Sequence, residues 1–442
     1  MLEHLRLRRA NAPNTHITVR VLAAADHDGI CAAHILSQLL DIRDVKHTLQ
    51  PVWENADIAQ HIKHVENDTE VLSMVLLNCG ASTDLEKLVS ESKAPDDFRC
   101  FVIDAHRPIA GSNLSKHNSR IIVLDDDPIA EARGERPPVD ELDEDDDADE
   151  LDEDSEDDKE NEGSSNQTSS LESSERKRSR REAKEDKRRR KRQRIQEYYS
   201  LSYHAMPASM SMFHMAKQAK GQQNLHNVLW LAALGLLGYV ELGLMGEEQY
   251  NKLVWQQLKE EQDFIRPRAP PKEQIHNFYR AYDAALCDRP GLFKEGVAQA
   301  VDIAKAVQTL ARQIRDTKGA IKVAGTRKFR WTRIDQPPTV FRHPLAARKL
   351  VVWLSQTIFA YCSKRPHELP LLVVIRDGPM DSYLCVGITP PSISDVDEFG
   401  ATFRHAVQAT QNLQYRFDFF DKSCIAIAAD DIDRFLTALT TR

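Results

Sequence analysis

The feature that most constrains this chain is a short apolar run that leads through an acidic turn into an apolar helix. Residues Val21–Ala25 are apolar, Asp26 and Asp28 flank a histidine, and Gly29 follows them. Apolar residues then recur with the spacing of one helix face, at Ile30, Ala33, Leu36 and Leu40. This order predicts a buried strand, a tight turn that uses the conformational freedom of Gly29, and a helix.

Two interpretations of the acidic turn are open from its residues alone. Asp26 and Asp28 would lie at the carboxyl end of a parallel strand, where open α/β sheets bind their ligands. Two carboxylates placed there suit a divalent cation and, through the cation, a phosphate. The alternative is that both aspartates cap the helix and interact with its positive end.

Composition limits the class of protein. A chain of 442 residues is long enough for two or three domains with their own cores. No stretch approaches the ~20 apolar residues of a membrane span, and the N-terminus lacks the pattern of a secretory signal, so we expect no membrane association and a location in the cytosol or nucleus. Seven cysteines without a C-x-x-C pair predict buried free thiols rather than a zinc site or disulfides.

Residues 17–130 alternate apolar runs with amphipathic ones, which predicts a doubly wound parallel sheet. The predicted strands are Thr18–Ala24, Thr48–Val52, Val71–Leu77, Cys100–Ile103 and Ile121–Leu124. Polar side chains follow three of these strands, at Asn78, at Asp104 with His106, and at Asp125, Asp126 and Asp127. If the strands are parallel, we expect these groups to gather with Asp26 and Asp28 on one rim of the sheet.

A strongly charged segment follows. Residues 140–162 are mostly acidic and residues 163–174 are rich in serine, which predicts a solvated, disordered linker. Ser155 precedes three acidic residues and is a candidate for an acid-directed kinase, with an unmodified serine as the equal alternative.

Two basic clusters come next and have the pattern of a nuclear import signal. Their cationic residues are Arg176, Lys177, Arg178, Arg180, Arg181, Lys187, Arg188, Arg189, Arg190, Lys191, Arg192 and Arg194. A nucleic-acid contact and a self-repelling charged helix are the alternatives. We favour import because the clusters are dense and carry no interleaved aromatic residues that could stack on bases.

The rest of the chain predicts a helical part and then a second α/β part. The predicted divisions are an α/β domain over 1–135, the acidic linker over 136–175, the basic segment over 176–196, a helical middle domain over 197–320 and a mixed α/β domain over 321–442. His204 and His214 are interpreted as packed or surface residues. Candidate contacts to DNA are Arg107 beside the rim and the basic group Arg327, Lys328, Arg330, Trp331 and Arg333; a solvated turn with Trp331 buried is the alternative.

The rim motifs resemble degraded motifs of the DHH phosphoesterases, whose bacterial RecJ members degrade single-stranded DNA with manganese. The resemblance rests on the turn with Asp26 and Asp28, on Asn78, and on Asp104-x-His106. Gly80 stands where that superfamily has an acid, and Ala105 stands where it has the middle histidine.

A narrower resemblance covers residues from about 20 to 241 and from about 293 to 439. Residues Asn78–Leu85 and Phe101–Pro108, followed by an acidic tract, a basic run and Tyr203-His204 before a Met-rich helix, are similar to the cell division control protein 45 family. The resemblance implies a DHH-like domain, a DHH-associated-like C-terminal domain and a nuclear replication factor. It implies that this factor joins the minichromosome maintenance hexamer and the GINS complex in the replicative helicase, and binds single-stranded DNA and chromatin at origins. One departure is that the family carries a long helical section between the equivalents of Pro271 and Phe293, which this sequence crosses in one short stretch.

The ligand count separates a scaffold from an enzyme. A two-metal site needs several carboxylate or imidazole ligands around ions ~3.5–4 Å apart. Asp26, Asp28, Asp104 and His106 suffice for one ion, so we expect vestigial positions without a cofactor and without catalysis. The alternative is an active manganese-dependent phosphoesterase or single-strand exonuclease. A third class, an acidic chromatin- or histone-binding protein, would rest on residues 140–162 and would not explain the α/β ends.

Overall fold

The computed structural model describes most of the two α/β parts and much of the helical part. The described residues are 1–2, 4–5, 18–67, 71–115, 117–124, 137, 186, 188–220, 226–246, 250, 253, 274–285, 290–324, 329–361, 369–390, 393 and 397–440. Several predicted features lie outside the described residues: the acidic and Ser-rich tract with Ser155, the first basic cluster from Arg176 to Arg181, Lys187, Asp125–Asp127, Arg327 and Lys328.

The N-terminal part is a parallel sheet with helices on both faces. Its elements are β1 (Thr18–Ala24), α1 (His27–Ile42), β2 (His47–Val52), α2 (Asn55–Lys63), β3 (Val71–Leu77), α3 (Leu85–Glu91), β4 (Arg99–Ile103), β5 (His106–Arg107), α4 (Gly111–Leu114) and β6 (Ile121–Val123). The strand order is β2-β1-β3-β4-β6, and every neighbouring pair is parallel. Because β2 and β3 lie on opposite sides of β1, the chain reverses direction across the sheet between β1 and β3.

The helical part covers the outer side of α1. Its elements are β7 (Tyr203–His204), α5 (Ala208–Lys220), α6 (His226–Glu241), α7 (Gln274–Ala285) and α8 (Pro290–Asp316), and residues 188–200 are also helical. The side chains of α1 share one core with β1, β3 and β4 on one side and with α5 and α6 on the other. The sequence pattern predicted one apolar face for α1, whereas the helix is buried nearly all round because α5 and α6 pack on its remaining sides.

The C-terminal part is a mixed sheet between two helical layers. Its elements are β8 (Lys322–Val323), β9 (Arg330–Ile334), α9 (Pro344–Tyr361), β10 (Leu371–Asp377), β11 (Ser382–Ile388), α10 (Phe399–Ala409), β12 (Tyr415–Arg416), β13 (Cys424–Ala428) and α11 (Ile432–Thr440). The order is β12-β13-β11-β10-β9-β8, with β9 parallel to β10 and the other pairs antiparallel. Helices α8 and α9 cover one face, and α10 and α11 cover the other.

The predicted α/β class is confirmed, with local differences. The strand predicted over 415–420 ends at Arg416 because the following residues turn toward the N-terminal part. There the carbonyl oxygen of Asp418 accepts the Asn55 N–H at 3.2 Å, and the Asp418 carboxylate accepts the Ala56 N–H at 3.1 Å. The basic run around Trp331, for which a turn was one expectation, contains strand β9.

Two further expectations concern cysteines and membranes. The described cysteines, Cys31, Cys79, Cys100, Cys385 and Cys424, are buried free thiols, as predicted. Among the described residues, no helix combines the length and the apolar character needed to cross a bilayer.

Candidate functional site

The carboxyl ends of β1, β3 and β4 bring the predicted polar residues together. Asp26 follows β1 and Asn78 follows β3, on either side of the point where the chain reverses direction across the sheet. The Asn78 side-chain amide donates to an Asp26 oxygen at 2.9 Å. Asp104 and His106 follow β4, the next strand in the sheet. This is the position at which open α/β sheets form their ligand sites.

Asp26 caps helix α1. Its backbone is extended, and its Oδ1 atom accepts the Gly29 N–H at 2.7 Å. A Cβ atom on Gly29 would stand 2.2 Å from the carbonyl oxygen of Ala24, so this turn requires glycine. Burial raises the pKa of Asp26, and the Gly29 hydrogen bond opposes that rise. One oxygen of Asp26 thus caps the helix, as one interpretation of the turn predicted, and the other accepts the hydrogen bond from Asn78.

Asp28 is 1% exposed and caps a different helix. Its Oδ2 atom accepts the Ala208 N–H at 2.7 Å, and its Oδ1 atom accepts the Ser209 N–H at 2.9 Å. Both donors belong to the first turn of α5, where N–H groups have no partner within the helix. Burial, and next the neighbouring charge of Asp26, raise the pKa of Asp28 to about 6.

Two glycines let α6 pack against this junction. A Cβ atom on Gly235 would stand 2.3 Å from the Ser209 hydroxyl oxygen and 2.9 Å from Oδ1 of Asp28. A Cβ atom on Gly238 would stand 2.7 Å from Cβ of His27. The first turns of α1 and α5 therefore meet α6 with no room for larger side chains.

Asn78 and Gly80 lie where the sequence pattern indicated that an acidic residue is missing. Asn78 is 2% exposed, and its Oδ1 atom accepts the Tyr239 hydroxyl at 3.0 Å while its amide donates to Asp26. Gly80 has a φ of +93°, a left-handed conformation that L side chains rarely adopt, and an added Cβ atom would stand 2.5 Å from a Leu76 methyl group. An acidic side chain at position 80 would therefore strain the backbone and displace the Leu76 side chain.

Asp104 and His106 form a buried pair. One Asp104 oxygen accepts the Ala81 N–H at 2.8 Å, and the other accepts the backbone N–H of His106 at 3.0 Å and its ring Nδ1 at 2.7 Å. Burial acts to raise the pKa of Asp104, but the interactions with His106 outweigh it and the pKa is lowered. Burial acts to lower the pKa of His106, but the charge of Asp104 outweighs it and the pKa is raised.

The rim opens into a cleft of about 410 Å³, including the part open to solvent. Its walls come from all three parts of the chain: the rim residues, α6 and the following loop, and the C-terminal residues Leu345, Arg348 and Asp421. His204 enters the cleft from β7, which pairs with β5 so that His106 and His204 are directly opposite. Their ring centroids are 5.1 Å apart.

Arg348 holds the far wall of the cleft. It is 4% exposed, its Nε donates to the carbonyl oxygen of Leu242 at 2.9 Å, and its Nη1 donates to the Ser423 hydroxyl at 2.7 Å. The same Nη1 atom donates to the carboxylate of Asp421. This one side chain therefore joins the end of α6 to the C-terminal sheet.

The remaining DNA candidates are dispersed. Arg107 is 3% exposed, and its guanidinium donates to the carbonyl oxygens of Asp104 and His106 at 2.7 and 3.0 Å, so it braces the rim rather than facing solvent. On β9, Trp331 is half-buried beneath Lys322, whose Nζ lies 4.7 Å from the ring centroid. Arg333 pairs with Asp335 at 2.8 Å and Asp433 at 2.7 Å. Because side chains alternate along a strand, Arg330 lies on the opposite face of β9 from Trp331 and Arg333.

The sequence matches one family over most of its length. The CDC45 family model matches residues 19–271 and residues 256–442. The chain belongs to the CDC45 family.

Curated relatives and solved structures agree with this assignment. The Cell division control protein 45 homolog of Schizosaccharomyces pombe is 35% identical over 115 residues, which are 26% of this chain and 17% of that protein. The Homo sapiens homolog is 30% identical over 112 residues, 25% of this chain and 19% of that protein. The aligned segments thus span less than a fifth of either relative. The crystal structure of CDC45 from Entamoeba histolytica superposes with a TM-score of 0.60 at 12% identity, over 99% of this chain and 97% of that one, which shows the same fold.

The described rim carboxylates of this CDC45-family chain are already engaged by hydrogen bonds from the protein. Every oxygen of Asp26, Asp28 and Asp104 accepts at least one N–H from the protein. Each of these hydrogen bonds uses one of the two lone pairs on the oxygen that accepts it. Among the described residues, no group of three or more His, Cys, Asp or Glu side chains is arranged to hold a metal ion.

Several residues of this site had no clear signal in the CDC45-family sequence. Arg348 and Asp421 lie in unrelated segments and meet only through the fold. His204 was interpreted as packed or on the surface, but it lines the cleft. The sequence signal that could have indicated this packing is the pair Gly235 and Gly238. Two glycines one turn apart in an apolar helix indicate the close approach of another element.

The stability of the folded chain should depend on pH through His204. Burial, and next the charge of His106, lower its pKa below that of a free histidine, 6.5. As pH falls through about 6.5, the unfolded chain takes up a proton at this position and the folded chain does not, so stability falls by up to about 1.4 kcal/mol per pH unit. We expect His204→Gln to lose less stability than the wild type between about pH 7 and 5.5 in urea unfolding. The charges of Asp421, Arg348 and Asp104 also act on His204. If stability falls with pH at the same slope in both proteins, the burial of His204 does not control the pH dependence of stability.

Proposed function

We propose that this chain acts in DNA replication as a non-catalytic subunit of the eukaryotic replicative helicase, in a complex with the minichromosome maintenance hexamer and GINS. The proposal is supported by membership of the CDC45 family. It includes binding to single-stranded DNA and to chromatin at origins, which the family resemblance implies.

One observation carries the non-catalytic part of the proposal. Asp28, at the centre of the acidic turn, has both oxygens bonded to the N-terminus of α5 at 2.7 and 2.9 Å. In a metal-dependent phosphoesterase such a carboxylate would have to offer its oxygens to the cation. Here it joins the helical part to the sheet, which favours a structural role for the former ligand positions.

Co-purification tests the assembly. The tagged 442-residue chain is mixed with purified minichromosome maintenance hexamer and GINS, and the bound fraction is isolated through the tag. The proposal predicts that both partners are retained together in a salt-stable complex. Retention of neither partner, with a correctly folded chain, would contradict it.

A nuclease assay on the same preparation addresses the alternative function. We expect no release of nucleotides from single-stranded DNA when manganese is added, compared with the chain in a chelator. A bacterial RecJ exonuclease serves as the positive control. Manganese-dependent release by this chain, lost when Asp104 is replaced by alanine, would restore the exonuclease hypothesis.

The nucleus is the proposed location, and the two basic clusters between Arg176 and Arg194 are the proposed import signal; the first cluster can be tested by itself. Its cations are Arg176, Lys177, Arg178, Arg180 and Arg181. Replacing these five residues with alanine should move a fluorescently tagged chain into the cytoplasm. An unchanged nuclear signal would show that the first cluster is not needed for import.

A further inference from the structure

The second basic cluster lies on a helix that is anchored to the body of the protein. Residues 188–200 are helical, and Tyr198 and Tyr199 lie in the last turn of this helix. The hydroxyl oxygen of Tyr198 accepts the Ile109 N–H at 3.0 Å, and that of Tyr199 accepts the Gly111 N–H at 2.8 Å. Arg404 of the C-terminal part donates to the carbonyl oxygen of Tyr199. We call residues 188–200 the basic helix.

Burial along the basic helix shows which side faces the body. Arg188, Lys191 and Ile195 are half-buried and Tyr198 is buried, and these positions are three to four residues apart, the spacing of one helix face. The intervening positions are exposed and carry Arg189, Arg190, Arg192 and Arg194. Because the other face rests on the protein, these four arginines project from a fixed surface.

The acidic side chains in residues 186 and 188–200 are Asp186 and Glu197. Arg189 pairs with Asp186 at 3.0 Å, but the two side chains are 78% and 58% exposed, and pairs this exposed contribute about 0–1 kcal/mol. Glu197 accepts a hydrogen bond from Gln193 at 2.9 Å and lies at the far end of the exposed face. Guanidinium groups stay charged at every physiological pH and match phosphate oxygens with paired N–H donors.

We propose that the basic helix binds the phosphate backbone of a nucleic acid through Arg189, Arg190, Arg192 and Arg194. The inference rests on the DNA binding included in the proposed function and assigns it to a surface. The aromatic side chains of the helix, Tyr198 and Tyr199, are engaged with the backbone of the 109–111 loop, so they are not available to stack on bases. The contact is therefore electrostatic and independent of sequence, and it accepts duplex as well as single-stranded DNA.

The test compares two variants of the full chain with equal net charge. The first replaces the four arginines of the exposed face with glutamine, which keeps a high helix propensity. The control replaces Lys294, Lys305, Arg312 and Lys318 with glutamine, four exposed cations on α8 and just beyond it. Binding of labelled single-stranded and duplex oligonucleotides is measured by fluorescence anisotropy across a range of salt concentrations.

We expect the first variant to bind both oligonucleotides at least ~10-fold more weakly than the wild type near 0.1 M salt, and the slope of log K against log salt to be smaller by about 3. The control should bind like the wild type. Equal binding by the two variants would overturn the inference while leaving DNA binding in place. A wild type that binds neither oligonucleotide would overturn the DNA-binding part of the proposed function as well. A first variant that binds DNA normally but stays in the cytoplasm would assign the helix to nuclear import instead.

Discussion

Replacing Asp28 with alanine is expected to lower the free energy of unfolding by about 2–4 kcal/mol. The reason is that the N–H groups of Ala208 and Ser209 lose their acceptor inside the protein, and each unsatisfied buried donor costs about 1–3 kcal/mol. Relief of the repulsion between Asp28 and Asp26 offsets part of that loss. Chemical denaturation of the purified variant measures the change directly.

The control for Asp28 is another helix cap on the same sheet. Asp84 caps α3 at an exposed position by accepting the Lys87 N–H at 3.0 Å, and Asp84→Ala should cost about 1 kcal/mol. A carboxylate that serves only as a metal ligand would behave differently in the metal-free protein. Its removal would leave the free energy of unfolding unchanged, or increase it by removing repulsion. An Asp28→Ala variant as stable as the wild type would contradict the structural role.

The loss caused by Asp28→Ala should also change with pH. Because the folded pKa of Asp28 is raised to about 6 from an ordinary 3.8, this group adds stability that is fully present below about pH 4 and is lost as pH rises through 6. The difference between wild type and variant should therefore be larger at pH 5 than at pH 7. A difference that grows toward neutral pH would show that the carboxylate is favoured in its charged form.

Arg348→Met is expected to destabilise the fold by about 3–5 kcal/mol. Methionine fills a similar volume but leaves the carboxylate of Asp421, whose side chain is 22% exposed, without its cation. Although burial acts to raise the pKa of Asp421, the charge of Arg348 outweighs it and holds that pKa below its ordinary value. The variant also loses the bonds to Leu242 and Ser423, which join α6 to the C-terminal sheet.

Two comparisons make the Arg348 result interpretable. Lys305→Met breaks a pair with Asp302 in which the side chains are 71% and 72% exposed, and it should cost at most about 1 kcal/mol. The double variant Arg348→Met with Asp421→Asn removes both charges and should recover part of the stability. If Arg348→Met costs no more than Lys305→Met, the far wall of the cleft does not depend on this ion pair.

Local patterns in the sequence were sufficient to predict most of the fold. The strand from Thr18 to Ala24 and the strand from Val71 to Leu77 have the bounds expected from their apolar runs. Strand β9 was harder to see because Arg330–Ile334 contains two arginines and has no continuous apolar run. Its side chains alternate between the buried core and a polar edge, so composition alone resembles a surface turn.

The site was only partly predictable, for a physical reason. Parallel strands deliver Asp26, Asn78 and Asp104 to one rim, and that follows from their positions at strand ends. The donors that occupy Asp28 come from residues 208 and 209, about 180 positions further along the chain, and no local pattern links them. The sequence could therefore indicate where the polar side chains gather, but not which N–H groups of the protein already bind to their oxygens.

The carboxylates of the rim hold the architecture together. Asp26 starts α1, Asp28 starts α5, and Asp104 bonds to His106 and to the loop after β3. Each interaction connects elements that would otherwise expose unsatisfied backbone groups. A carboxylate used in this way is difficult to release for a cation, since releasing it opens a junction between helices and sheet.

Anomalous diffraction from crystals of this chain grown with manganese tests that view most directly. We predict no manganese peak within coordination distance of Asp26, Asp28 or Asp104, and unchanged hydrogen bonds from Ala208 and Ser209 to Asp28. Two strong peaks between these carboxylates, with α5 displaced from Asp28, would contradict it.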